Sequence, residues 1–218
     1  MTFQIMLSKL SEGMLSTVLI FALTLIGSLP LGLFVSFARM AKNPIVRNCT
    51  KIYISIMRGT PLMLQLLVVY FGPYFLLGID VGKSYRFWAV ILAFVVNYAA
   101  YFAEIYRSGI ESMPKGQYEA ASVLGYSKAQ TFIRIILPQV LKRILPSITN
   151  EVITLVKDTS LAFAIAYSEM FTVAKAIAAS EKSMIPFAAA GLFYYVFNFL
   201  VAMLMERLEN KMNYYSAE

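Results

Sequence analysis

The chain has 218 residues, 59% of them apolar, with a mean hydropathy of +0.68 and a formal net charge of +7. That apolar share is too high for a domain facing water on all sides, so the expected solvent is a bilayer. The absence of histidine excludes a Ser-His pair, a His-ligated metal and a histidine general base, and a single cysteine excludes an internal disulfide and a thiolate metal cage.

Only helices and closed barrels span a bilayer, and apolar runs of about twenty residues select helices over ten-residue barrel strands. Residues 1–13 read as a short amphipathic lead-in without the basic flank, apolar core and cleavage site of a signal peptide. The first span is expected over 14–37, with Gly27, Pro30 and Gly32 as breakers that a membrane tolerates. A basic, mixed link runs from Arg39 to Arg58, with Cys49 in it read as a small apolar filler. The second span, 56–77, is entered through Arg58-Gly59-Thr60-Pro61, and a polar link from Gly78 to Arg86 leads to a third over 87–106. A polar region over 107–142 separates this from a weaker fourth span, 144–166. A polar link over 167–183, a fifth span over 184–205 and a charged tail, helical at first, complete the chain. The expected fold class is an all-α membrane protein with five transmembrane helices in one domain, residues 1–218.

Basic residues give the orientation. The link after the first span holds five Lys or Arg and the region after the third holds six, against one in the N-terminal segment, two after the second span and three after the fourth when that link is extended to include Lys157. Basic residues mark the cytoplasmic side, so the N-terminus is expected outside and the C-terminus inside. The same distribution assigns the net charge to membrane orientation, and no nucleic-acid partner is expected.

The cytoplasmic region contains Tyr118 to Pro138, YEAASVLGYSKAQTFIRIILP. Glu119, Ala120, Ala121, Val123 and Leu124 form a short amphipathic helix, and Gly125 lets the chain turn because glycine tolerates φ > 0. A second helix is expected to run to Leu137 and to stop at Pro138. Two short helices joined at a glycine make a compact knob suited to another protein's groove.

Chemistry within the spans is sparse. Gly78-Ile-Asp-Val-Gly82-Lys83-Ser84 approaches a phosphate loop, but three residues separate its glycines where four are needed, so it reads as a turn. The fourth span carries Glu151, Lys157 and Asp158, and a charge at a helix centre costs about 2.5–3.5 kcal/mol on insertion scales, so this helix must face protein or water. Ser147, Glu151, Thr154 and Asp158 share one helical face. That stripe is either a substrate surface or an internal polar network, with Lys157 paired to Asp158 of a neighbouring chain as one form of the latter. Asn97 and Tyr98 in the third span add a second polar spot, with interhelical hydrogen bonding the competing role for Asn97. Gln65 and Tyr70 are weaker, and Phe193, Tyr194, Tyr195 and Phe197 read as lipid-facing or packing residues.

The Glu-Ala-Ala, Gly125, Ile135 and Leu137-Pro138 spacing resembles the signature of the membrane subunits of bacterial ABC importers, the EAA motif. Arg58-Gly59-Thr60-Pro61-Leu62, Ala103 to Ile110, Gly116-Gln117 and Lys157-Asp158-Thr159-Ser160-Leu161 are similar to the polar amino acid branch of that family, with Ser108 where the family often has a second glycine. The resemblance covers about residues 14 to 206 and implies a permease of the bacterial cell membrane. It would work as a pair with a second permease subunit, the same chain or a homologue, with two ATP-binding subunits in the cytoplasm and an extracytoplasmic amino-acid-binding protein. The knob would be the coupling helix, with Tyr118, Glu119, Ala120, Ala121, Leu124 and Gly125 carrying ATPase coupling. This chain would bind no cofactor, since ATP and Mg belong to the partner ATPase, and it would not be an enzyme itself. Asn97, Tyr98, Glu151, Thr154 and Asp158 would bind the substrate, a cationic, zwitterionic or otherwise polar amino acid. Cystine or an acidic amino acid is the alternative within the family, and an oligomeric pore without an ATPase is the rival from another class.

Overall fold

The computed structural model describes residues 2–82 and 84–212, which are helical with no strand among them. Nine α-helices follow in order: α1 (Phe3–Arg39), α2 (Pro44–Gly59), α3 (Leu62–Leu77), α4 (Tyr85–Glu111), α5 (Lys115–Val123), α6 (Lys128–Thr131), α7 (Leu137–Asp158), α8 (Met170–Glu181) and α9 (Ile185–Met212). A π-helical turn, Phe132–Ile136, joins α6 to α7, and a 3-10 segment, Thr159–Ile165, extends α7. Three helices, α1, α4 and α9, are long and apolar enough to cross a membrane alone, and two bent pairs raise the number to five if each pair is one span.

α4 is the axis. In lipid, apolar burial alone gives helices little reason to associate, so close packing of small residues and polar ties must hold the bundle. α1 supplies the small residues, burying Gly13, Thr17, Thr24, Ser28, Gly32 and Ser36 at helical spacing. A Cβ on Gly32 would come within 2.8 Å of Phe102 Cβ and 3.1 Å of the Ala99 carbonyl oxygen, so α1 and α4 approach as glycine permits. Gly27, Pro30 and Gly32 do not break the helix, and α1 runs through all three. Residues 3–13 are no separate lead-in either. They continue α1, because Met6 and Leu10 are buried in a cluster with Met170, Ala174 and Ile177 of α8 and Ala190 of α9.

Elsewhere, five sequence expectations give way. The basic link after α1 is itself a helix, α2, opened by Asn43 accepting from the Ile45 and Val46 amides, with Pro44 in its first turn. α2 meets α3 at a bend of 108°. Thr60 sits in an extended conformation before Pro61, as a residue before proline prefers, and this breaks the expected second span at its entrance. Cys49 on α2 is exposed and fills no core. Pro138 does not end a helix, since α7 begins at Leu137 and continues to Asp158. The wide turn just before it relieves the clash a proline ring makes with the carbonyl four residues earlier. The link over 167–183 contains α8, which packs between the first half of α1 and the start of α9. The charged tail is helical to Met212, and residues 213–218 lie outside the described residues. The Gly78–Ser84 segment follows α3, and its Lys83 also lies outside the described residues.

Candidate functional site

The knob stands at one end of the bundle. Pro114 precedes α5, which ends at Leu124 before Gly125 turns the chain with φ +78. α6 then opens on a capping box, in which Ser127 and Gln130 satisfy each other's backbone amides. The double hydrogen bond between the Gln117 and Gln139 amides, 2.8 Å each way, moors α5 to α7. Of the residues assigned to the knob from sequence, Ala121 is buried beneath it, whereas Tyr118, Glu119, Ala120, Leu124 and Gly125 are exposed. The amphipathic helix is inverted at its tip: Val123 is 88% and Leu124 74% exposed, although both are apolar.

Just inside the knob, Glu104 of α4 gathers three arginines. Arg107 donates to it at 2.6 Å, and Arg39 of α1 and Arg58 of α2 lie 4.0 Å away. This carboxylate ties α1, α2 and α4 together, and sequence reasoning gave it no role. Beside it opens a cavity of about 500 Å³ between α4 and α7, with Arg58, Glu104, Arg143, Ser147 and Glu151 in its wall. Glu151 is half-buried there.

Deeper in the bundle, the Tyr98 hydroxyl donates to Asp158 Oδ2 at 2.7 Å, joining α4 to the end of α7. Tyr98 is fully buried, and Asp158 is half-buried. Glu151 and Asp158 are seven residues apart, which is about 10 Å along a helix. Ser147, Glu151 and Asp158 thus follow one line from the cavity inward. Thr154 departs from it in bonding: it is exposed and its hydroxyl is spent on the Asn150 carbonyl of its own helix at 2.9 Å. Lys157 is exposed.

Asn97 points elsewhere. Its amide donates to the Met57 carbonyl at 3.0 Å and to Gln65 Oε1 at 2.9 Å. Gln65 in turn donates to the Met57 carbonyl, the Thr60 carbonyl and the Thr60 hydroxyl. The two amides therefore satisfy the carbonyls freed where α2 breaks from α3, as an irregular backbone at membrane depth requires. One residue along a helix turns a side chain by 100°, which is how Asn97 and Tyr98 come to serve different neighbours.

Two further groups escaped the sequence reading. Glu169 is completely buried and accepts from the Phe171 and Thr172 amides, the Thr172 hydroxyl and the Tyr194 hydroxyl. Its signal was a carboxylate just ahead of the helix-forming run Met170–Ala179, an unusual cap in place of Ser, Thr, Asp or Asn. Tyr194 is thereby a bonded packing residue, Phe197 packs edge-on to Phe21 at 5.2 Å, and Tyr195 is exposed. Arg86, at the end of α4 away from the knob, donates to the Ala166 carbonyl at 3.0 Å.

Long apolar helices packed through small residues, with polar groups converging inside and a projecting knob at one end, define a multi-span membrane protein with a polar interior. The profile of the family described as binding-protein-dependent transport system inner membrane component matches residues 28–214, and the chain belongs to that family. It is 41% identical over 194 residues to the L-cystine transport system permease protein TcyL of Bacillus subtilis (strain 168), spanning 87% of this chain and 80% of that protein. It is 37% identical over 202 residues to the arginine transport system permease protein ArtQ of the same organism, spanning 92% and 91%. Among solved structures, an amino acid ABC transporter crystallised with histidines superposes with a TM-score of 0.86 at 28% identity, over 97% of this chain and 99% of that one. A methionine ABC transporter shares the fold at 18% identity and a TM-score of 0.76, over 98% and 100%.

Proposed function

We propose that this chain is the membrane-spanning subunit of an ATP-driven amino acid importer, acting in a pair of permease subunits. The observation that carries the reading is the knob: an apolar tip, Val123 and Leu124, bare to solvent at the end of the molecule where basic residues accumulate. Exposed apolar residues outside lipid call for a protein partner, and basic residues mark the cytoplasm. The partner is an ATP-binding subunit, two of them serving the permease pair, with ATP and Mg held there. Each bent helix pair counts as one span, giving five, with the N-terminus outside and the C-terminus in the cytoplasm. An extracytoplasmic binding protein delivers the amino acid to the opposite end, in keeping with the family description.

The substrate passes along the line from Asp158 to Glu151. Asp158, oriented by Tyr98, takes the α-ammonium group. A second cationic group about 10 Å away meets Glu151, which favours a long dibasic ligand over a short neutral one. Cystine is the second reading, favoured by the relative that transports it and by its own two ammonium groups, one at each end of the molecule. Closure of the ATPase pair pushes the knobs, and α5 passes that movement through the Gln117–Gln139 bond to α7, which carries both acidic groups. Ligand and nucleotide each favour one of two arrangements of the bundle.

The test is co-purification and uptake. Gly125→Asp or Glu119→Lys is expected to release the ATPase, and Glu151→Gln with Asp158→Asn to weaken uptake of cationic amino acids in competition with glutamine, cystine and glutamate. A wild-type chain that retains no ATPase supports an oligomeric pore instead, and an ATPase retained by both knob variants removes the knob as its docking site. Unchanged affinity and selectivity in the acidic variants removes the ligand assignment.

A further inference from the structure

At the end of α4 opposite the knob, a single guanidinium bridges three elements. Arg86 Nη1 donates to the Ala166 carbonyl at 3.0 Å, and Nη2 reaches the Tyr70 hydroxyl of α3 at 3.5 Å. The same guanidinium lies over the Tyr70 ring, 5.8 Å from its centroid. Tyr70 stacks on Tyr85 at 6.3 Å, and the Tyr85 hydroxyl donates to the Val69 carbonyl at 2.9 Å. Next along the chain, Phe87 packs against Tyr167 at 6.0 Å. Beneath this aromatic lid, Leu66 of α3 shares a core cluster with Ala162 and Ile165 of the 3-10 segment. The Tyr98–Asp158 pair lies twelve residues further along α4, about 18 Å inward.

Two features set this corner apart. Ala166 holds a left-handed conformation, φ 52, without being glycine, and an L-residue adopts that only where its surroundings enforce it. Arg86 Nε is buried and donates to no partner among the described residues. The guanidinium thus meets the carbonyl of the residue that caps the 3-10 segment, where the Tyr167 amide turns back to the Ala162 carbonyl.

We infer that Arg86 is a latch on the outer gate, joining α3, α4 and the Ala166 corner while the substrate line is closed to the outside and releasing them when it opens. The inference rests on the importer reading above, which makes this end the outer one. Opening separates the Ala166 corner from α3 and gives Nε access to water, and delivery of ligand to Asp158 then runs through the gap. The bonds to one guanidinium thus set the closed-to-open ratio before the binding protein arrives.

The complete importer, with its second permease subunit, ATPase and binding protein, is reconstituted in vesicles. Arg86→Ala is expected to raise ATP hydrolysis without binding protein roughly tenfold, because a hydrogen bond to a charged group shifts an equilibrium by about that factor or more. Arg86→Lys, which keeps the charge but loses the forked bridge, is expected to fall between the two. Unchanged basal hydrolysis in Arg86→Ala, in a complex that assembles as wild type by size exclusion, overturns the latch. A second arm is independent of how that variant folds: in a Cys49→Ser background, Tyr70→Cys and Ala166→Cys are joined by a short bis-maleimide. Locking is expected to abolish uptake while the ATPase stays bound, and uptake that continues across the locked pair overturns the latch. Wild-type vesicles that take up no amino acid would defeat the importer reading instead, while the hydrolysis arm still decides the role of Arg86.

Discussion

The knob and the Tyr98–Asp158 pair are held by opposite means. The knob displays its apolar residues to solvent and is moored by two glutamines, so its shape depends on local signals: a proline before α5, a glycine after it, a capping box at α6. The polar pair is enclosed by helices far apart in sequence, and neither residue has its present partner without the whole bundle. A surface built from local signals can be altered without unfolding the protein, whereas a group built from tertiary contacts couples chemistry to stability.

The largest expected effect follows from that contrast. Leu124→Asp puts a charge on a tip residue that is 74% exposed, so ATP-driven uptake should be lost almost completely while thermal unfolding of the purified subunit in detergent stays unchanged. A fall in stability alongside uptake would show that the tip packs internally. Gly109→Val probes the opposite regime. A Cβ there would lie 2.2 Å from Ile144 Cγ2, joining α4 to α7, so the subunit should lose roughly 1–3 kcal/mol, read as a lower unfolding temperature.

Asp158→Asn keeps the shape of the buried pair and removes its charge. On the proposed reading it weakens uptake of cationic amino acids at least tenfold, measured as KM in vesicles, with stability little changed. Asn97→Ala leaves Gln65 Oε1 without its donor and removes one of the two amides on the Met57 carbonyl, so about 1–3 kcal/mol of stability at the α2–α3 elbow is lost, with KM moving less than in Asp158→Asn. Thr154→Ala sits at the bottom of the scale, because its hydroxyl proton is engaged by the Asn150 carbonyl of its own helix and only its lone pairs are left for a ligand, and uptake should change less than twofold. A large effect there would put substrate against the exposed face of α7.

These contrasts also explain what was legible in the sequence. Long apolar runs and the Gly125 turn are local properties, and α4, α9 and the knob lie where periodicity and turn chemistry put them. Pro138 misled because a proline's effect depends on the turn before it, and no residue in Phe132–Ile136 announces a π turn. The helix α8 was hidden for another reason: its lysine, serine and glutamate suggested a link, while burial against Met6 and Leu10 of α1 made it a packed element. Residue types in the polar line were visible on one helical face, but their partners were not. Asp158 meets Tyr98 sixty residues away, and Asn97 turns to an elbow forty residues back. Glu104 and Arg86 act between helices, so nothing in their immediate neighbours flags them.

The most direct test of the central claim is to co-express the wild-type chain, Leu124→Asp and Asp158→Asn with the cognate ATPase subunit, and to weigh how much ATPase each retains after purification from the membrane. Wild type and Asp158→Asn retaining equal amounts, with Leu124→Asp retaining none, is the predicted result. An ATPase that stays with Leu124→Asp as firmly as with wild type would contradict the account, since the energy would then enter somewhere other than the knob.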